Sequence, residues 1–172
     1  MRETKTRILA LAGILGAAYA ALTLLSSLMG LAYGPVQFRL SEALTVLPWL
    51  FPGTAVGLFA GCLVANLLSP FGLVDLLVGS AATLLAGLWT ERVRSPWLAP
   101  LPPVVCNMIL VGGELAWYQV GFGPGFWSLF VVDALWVGLG EAVVCFLLGG
   151  LLLKKLPGIA SLAPWIPPER RS

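Results

Sequence analysis

In the stretch YGPVQFRLSEALTVLPWLFPG, from Tyr33 to Gly53, an arginine and a glutamate stand three residues apart among mostly apolar neighbours. Arg39 offers a rigid fork of N–H donors and Glu42 an acceptor-only carboxylate; together they can grip a polar ligand by two edges or neutralise each other at i, i+3 spacing. Gln37 precedes them, and further along come the acids Asp75, Glu114, Asp133 and Glu141 and the amides Asn66 and Asn107. Asn107 and Glu114 are seven residues apart, within ~20° of each other on a 3.6-residue helix, so both can line one wall. Trp117 and Trp136 each follow an acid by three residues, Glu114 or Asp133. At that spacing a ring can stack on a flat ligand whose edge the carboxylate holds, although an interfacial belt is the other reading of such aromatics.

Missing chemistry narrows the choice. Histidine does not occur, which removes HExxH metalloprotease chemistry and every Ser-His or Cys-His nucleophile pair. Cys62, Cys106 and Cys145 lie in separate apolar runs without CxxC or metal spacing, so they read as small buried residues rather than a disulfide framework or metal site. No GxxxxGK[ST] or other phosphate-cradling loop is present, and nothing in the chain is read as hydrolysing ATP. Gly138-Leu139-Gly140-Glu141 faintly echoes the GxGD of intramembrane aspartyl proteases, but its acid is Glu, and neither Asp75 nor Asp133 sits in a matching motif. The expectation is a protein that is not an enzyme, with no cofactor, metal or nucleic-acid partner.

The elements that must hold these side chains are set by composition. Hydrophobic residues make up 59% and charged residues 10% of the 172, with a mean hydropathy of +0.94, whereas charged residues are about 25% of a soluble chain. This describes an all-α integral membrane protein. Its length leaves room for at most about six spans of ~20 residues, hence a single membrane domain over 1–172. Apolar runs cover 8–29, 40–51, 53–68, 73–90, 103–120 and 127–153, divided by Tyr33-Gly34-Pro35, Phe51-Pro52-Gly53, Ser69-Pro70-Phe71-Gly72, Ser95-Pro96 and the GFGPG segment Gly121–Gly125. A compact six-helix bundle follows, with a Pro-rich tail over 157–172. The run 40–51 reaches only ~18 Å as an α-helix against a hydrocarbon core of ~30 Å, so it is short, tilted or re-entrant. The run from Ile8 is longer than the apolar region of a signal peptide and reads as the first span.

Arg2, Lys5, Arg7, Arg92, Arg94, Lys154, Lys155, Arg170 and Arg171 all fall on one side of this arrangement, and Arg39 alone falls opposite. The positive-inside tendency therefore puts both termini in the cytoplasm of a multi-pass protein of a bacterial-type plasma membrane. Arg39 then faces Glu42, Asp75, Glu114 and Asp133 in the outer half, with Glu141 deeper. The four outer acids leave a nominal excess of three negatives, which implies protonation or a bound cation. Ionisable groups inside a membrane are expensive and mark ligand or ion sites, so a polar pocket open to the outside is expected.

The first span carries two small-residue stripes, Gly13, Ala17 and Ala21 beside Ala12, Gly16 and Ala20. Such stripes allow close helix packing, either within the bundle or against another membrane protein.

Taken in order, YGPVQFRLSEALTVLPWLFPG, GLFAGCLVANLLSPFGLVDLLVGSAATLLA, WLAPLPPVVCNMILVGGEL and VGLGEAVVC resemble the QueT family of substrate-binding subunits of energy-coupling-factor transporters, over about Tyr33 to Cys145. The resemblance implies a six-helix S-component fold and uptake of a queuosine precursor. It also implies energy from a partner complex of one transmembrane coupling protein and two ATPase subunits. The family's alanine-x-x-x-alanine pattern in the first helix is matched by Ala17 and Ala21, which favours Gly13, Ala17 and Ala21 as a docking face. Carried over by motif, the substrate-binding residues are Gln37, Arg39 and Glu42, then Asn66 and Asp75, then Asn107 and Glu114, then Glu141; Asp133, Trp117 and Trp136 rest on spacing alone. A 7-deazaguanine suits such a set, because its ring N–H and exocyclic amine present a donor edge to a carboxylate and its carbonyl accepts from an amide. The alternative is a self-sufficient secondary transporter of a small cationic or heterocyclic solute, although no inverted repeat is evident.

Overall fold

Long apolar runs free of internal proline become long helices, and the runs interrupted by Pro and Gly become the shorter pieces between them. The computed structural model describes residues 2–33 and 37–171; the turn expected at Gly34-Pro35 lies outside them. In chain order it contains α1 (Arg2–Leu28), a 3-10 helix (Leu40–Trp49), α2 (Ala55–Asn66), α3 (Gly72–Thr90), α4 (Leu101–Val120) and α5 (Phe126–Ala142). A π-helical stretch (Val143–Gly149) and α6 (Gly150–Lys155) continue directly from α5, and there is no strand among the described residues. Among the described residues, four helical stretches are long and apolar enough to cross a membrane, Lys5–Leu28, Gly72–Thr90, Pro96–Val120 and Phe126–Gly158, while Ala55–Asn66 is apolar but shorter. The chain is an all-helical, multi-pass membrane protein.

The short second element takes the 3-10 form. Pro48 removes one N–H from it, and the tighter winding rises ~2.0 Å per residue, so ten residues extend ~20 Å. Ser41 through Trp49 are all buried. The segment packs on α1, α3, the π-helical stretch and α6, and also touches α2 and α4, so it runs along the axis of the bundle instead of facing lipid. Leu44, Val46, Leu47 and Trp49 join Leu15, Tyr19, Leu58 and Cys145 in the main apolar core.

Glycines set the closest helix approaches. A Cβ on Gly57 would stand 2.0 Å from the Ala12 carbonyl oxygen, and one on Gly61 would stand 2.1 Å from that of Gly16, so α1 and α2 touch backbone to backbone. On α5, a Cβ at Gly140 would meet the Gln37 carbonyl oxygen at 2.0 Å, and one at Gly149 would meet Val46 at 3.0 Å. The single helix expected over 127–153 is thus continuous but passes through the π-helical stretch where it crosses the axial segment. Apolar residues on every side of this run leave no periodic sign of that widened turn in the sequence.

Apart from Arg39, which pairs with Asp75, the basic residues described below gather at one end. Ile8 of α1 reaches Gly53, the Gly53 N–H donates to Glu91 Oε1 at 2.9 Å, and Arg170 donates to the carbonyls of Trp49 and Glu91. The start of α1, the 90–96 connection and the tail therefore share one end of the bundle, and Asp75, near the start of α3, belongs to the other.

Candidate functional site

Away from the basic end, the interior is polar. Gln37, Arg39, Glu42, Asn66, Asp75, Asn107, Glu114, Asp133 and Glu141 are all buried, each 5% exposed or less. The segment before the 3-10 helix delivers Gln37 and Arg39. Arg39 is that helix's N-cap residue and has an extended backbone. Its guanidinium donates Nε–H to the Ala32 carbonyl at 2.8 Å and pairs with Asp75 Oδ2 at 3.4 Å. The i, i+3 pairing of Arg39 with Glu42, one of the sequence alternatives, gives way to this longer-range partner because Arg39 lies just outside the helical winding. Tyr33 covers the guanidinium from outside, its ring centroid 4.9 Å from the Arg39 carbon. Burial raises the Tyr33 phenol above its ordinary pKa, keeping it a donor to the Ala65 carbonyl at 3.4 Å.

Glu42 accepts a hydrogen bond from Tyr19 of α1. The Tyr19 hydroxyl also approaches Thr83 Oγ1 of α3 at 3.4 Å, and Thr83 donates to Cys62 Sγ of α2 at 3.3 Å. On the other flank, the Cys145 thiol donates to Glu141 Oε2 at 3.5 Å and lies as close to the Glu42 carbonyl. Asn66 binds back to α3 through its amide nitrogen, 2.9 Å from the Asp75 carbonyl. Gly79 makes this possible: a Cβ there would stand 2.4 Å from Asp75 Oδ1 and 2.9 Å from Asn66 Nδ2. Six elements thus converge on one cluster.

That cluster is not self-satisfied. Glu42 Oε2, Asn66 Oδ1, Asn107 Nδ2 and both carboxyl oxygens of Glu114 are buried without a hydrogen-bond partner among the described residues. The Asn107 amide lies beside the Glu42 and Glu141 carboxyls but forms no well-aligned bond to either. A buried orphan polar group costs ~1–3 kcal/mol, so five of them in one cluster mark a place where other polar atoms belong. The free groups are one amide donor and four acceptor oxygens, three of these from carboxyls, which matches a ligand with more N–H donors than acceptors.

Not every residue singled out by spacing joins this core. Asp133 is buried but pairs with Gln119 across α4 and α5, Nε2 to Oδ2 at 2.7 Å. Trp117 and Trp136 are 38% and 45% exposed on the outer surface, and Trp117 makes an edge contact with Tyr118; the structure does not bring them to the buried acids. Tyr19, Thr83 and Gln119 were not singled out from sequence. Tyr19, Thr23 and Ser26 recur at intervals of four and three along α1 and are all buried, a polar stripe on an apolar helix that could have pointed to them. Cys62 and Cys145 are buried and Cys106 half-buried, all three as free thiols. No three metal-ligating side chains gather among the described residues.

Gly13, Ala17 and Ala21 are exposed along α1, and a Cβ at Gly13 would meet nothing within 4 Å. The adjacent Ala12 and Gly16 are buried against α2.

No solved structure matches the chain. A queuosine precursor transporter, QueT, from Lactococcus lactis subsp. cremoris (strain MG1363) is 36% identical over 84 residues, 49% of this chain and 49% of that protein. The aligned part thus spans about half the length of this curated relative. The family model for the QueT transporter matches residues 9–157, a range that takes in every element from α1 to α6 and all the cluster residues. The chain belongs to the QueT transporter family.

Proposed function

We propose that this protein is the substrate-binding S-component of an energy-coupling-factor transporter, built on six membrane segments with the 3-10 helix as the short second one. It binds a queuosine precursor of the 7-deazaguanine type from the outside. It then releases the precursor inward when docked on a transmembrane coupling protein driven by two ATPase subunits. The observation that carries this reading is the set of five orphan polar atoms on Glu42, Asn66, Asn107 and Glu114. The carboxyl oxygens of Glu114 and Glu42 accept from the N–H edge of the deazaguanine, and the Asn107 amide donates to its carbonyl. Gln37, Arg39, Asp75 and Glu141 shape and neutralise the surroundings, and Asp133 with Gln119 borders them; Trp117 and Trp136 stand at the outer rim. The relative's name, queuosine precursor transporter, agrees with this substrate class, and the exposed stripe of Gly13, Ala17 and Ala21 is the docking face.

The deciding experiment is calorimetric titration of the purified protein, in detergent and without ATP, with 7-deazaguanine precursors. Saturable one-to-one binding by the isolated chain is expected. Binding that appears only after the coupling complex is added overturns the assignment of the pocket to this chain. Uptake into vesicles holding this protein alone would favour the self-sufficient secondary transporter instead.

A further inference from the structure

At the basic end of the bundle lies a groove of about 690 Å³, lined by none of the polar-cluster residues. It is within the ~300–1,000 Å³ typical of small-molecule sites. Its walls are Trp97 from the 90–101 connection and Phe146, Leu147 and Leu151 from the last spanning stretch; Lys154 and Arg171 stand on its rim. Three cations line it and no acid does. Trp97 is 83% and Leu147 67% exposed, and Leu147 and Leu151 lie on a helical stretch apolar enough to cross a membrane. These walls therefore meet acyl chains while the rim sits at headgroup level, the depth favoured by Trp and Lys.

The rim is built, not incidental. Arg170 holds the tail to the bundle through the Trp49 and Glu91 carbonyls and lies over the Trp49 ring, 5.3 Å from its centroid. That anchorage fixes Arg171 beside the groove. Arg171 spends its Nε–H on the Ile166 carbonyl at 2.8 Å and is exposed, and Lys154 makes no ion pair among the described residues. A zwitterionic lipid would bring its own ammonium to a rim of cations with no acid to receive it, and a free aqueous anion would leave the apolar walls unused.

We propose that this groove binds one anionic phospholipid of the adjoining leaflet, with its phosphate-bearing headgroup between Lys154 and Arg171 and an acyl chain along Phe146, Leu147 and Leu151. The site is independent of the transport reading and stands or falls separately from it.

Native mass spectrometry of the full-length protein, titrated in detergent with phosphatidylglycerol or phosphatidylcholine of equal chain length, tests the proposal. One phosphatidylglycerol should be held in clear preference to phosphatidylcholine. Replacing both rim cations (Lys154→Ala with Arg171→Ala) should weaken phosphatidylglycerol about 30-fold, the effect of ~1 kcal/mol from each of two basic residues, and weaken phosphatidylcholine much less, because its ammonium already offsets its phosphate. The exposed wall variant Trp97→Ala should weaken both lipids. Equal affinity for the two lipids, wild-type affinity in the double variant, or complete displacement by millimolar inorganic phosphate would each overturn it.

Discussion

The two sides of α1 carry nearly the same pattern and meet opposite surroundings. Ala12, Leu15, Gly16, Tyr19, Thr23 and Ser26 are buried, while Gly13, Ile14, Ala17, Ala21 and Leu25 are exposed. Both sides show small residues four apart, one residue out of phase. The difference lies in the partner, because only the first side faces the matching glycines Gly57 and Gly61 of α2, with backbones in contact. A small-residue stripe permits close approach, and the opposing element decides whether the fold uses it. The stripe left uncovered by this chain is the one with room for another membrane helix.

Adjacent residues should therefore give opposite phenotypes, and the largest effect belongs to the inner side. Gly16→Leu drives its side chain into α2, where even a Cβ would lie 2.3 Å from the Gly57 carbonyl oxygen. Backbone cannot give way as a flexible side chain does, so the cost reaches or exceeds the top of the ~1–3 kcal/mol usual for overpacking. Loss of monodisperse protein in detergent is expected, together with a sharp fall in thermal midpoint for any that is recovered. A wild-type elution profile and midpoint would mean that α1 and α2 are not in backbone contact.

One residue further on, Ala17→Trp should leave folding and ligand binding intact while co-purification with the coupling protein and cellular uptake both fall sharply. The new ring projects from the exposed side and blocks close approach of a second helix. Uptake at wild-type rate would remove the docking role from this stripe, and loss of folding would show that the outer side is packed after all.

The legibility of these features in the sequence follows the same division. The long spans were readable because each is an unbroken apolar run: 73–90 and 103–120 match Gly72–Thr90 and Leu101–Val120 to within two residues. The buried acids and amides were readable because a polar residue in such a run must face inward. Choices made by the opposing element were not. The sequence offers Arg39 a local partner in Glu42, and only the arrival of α3 gives it Asp75. Tyr19 gains its polar partner only where the axial segment sets Glu42 against it. Leu40–Trp49 is wound as a 3-10 helix and buried from Ser41 to Trp49, and its apolar run shows only that it is too short to span as an α-helix.

The polar cluster joins α1 to α4, and the contributions of these helices can be separated. Glu114 of α4 has no hydrogen-bond partner for either oxygen among the described residues, so the proposed function assigns its contribution to the ligand. Glu114→Gln replaces a charge-assisted acceptor with a neutral amide and should weaken binding by at least ~1–3 kcal/mol without lowering the thermal midpoint of the empty protein. Calorimetry returning wild-type affinity would take Glu114 out of the ligand shell.

Tyr19→Phe should give the smallest change, and it asks whether the inner side of α1 does more than pack. The substitution keeps the ring in the apolar core beside Leu15 and Leu58 and removes only the hydroxyl that donates to Glu42. Glu42 Oε2 already lacks a partner, so the variant leaves the whole carboxyl free to turn toward Asn107 or the ligand. Losing a hydrogen bond of this kind is worth about 0.5–1.5 kcal/mol. If Tyr19 aims Glu42, that loss appears in ligand affinity, as a weakening of up to about tenfold, and the Tyr19→Phe and Glu42→Gln effects are not additive, because both act through one carboxyl. If Tyr19 only packs, affinity is unchanged and the double variant is additive. The first outcome gives the inner side of α1 a hold on Glu42 and, together with loss of co-purification in Ala17→Trp, would make one rigid helix both the proposed docking element and the element that positions Glu42.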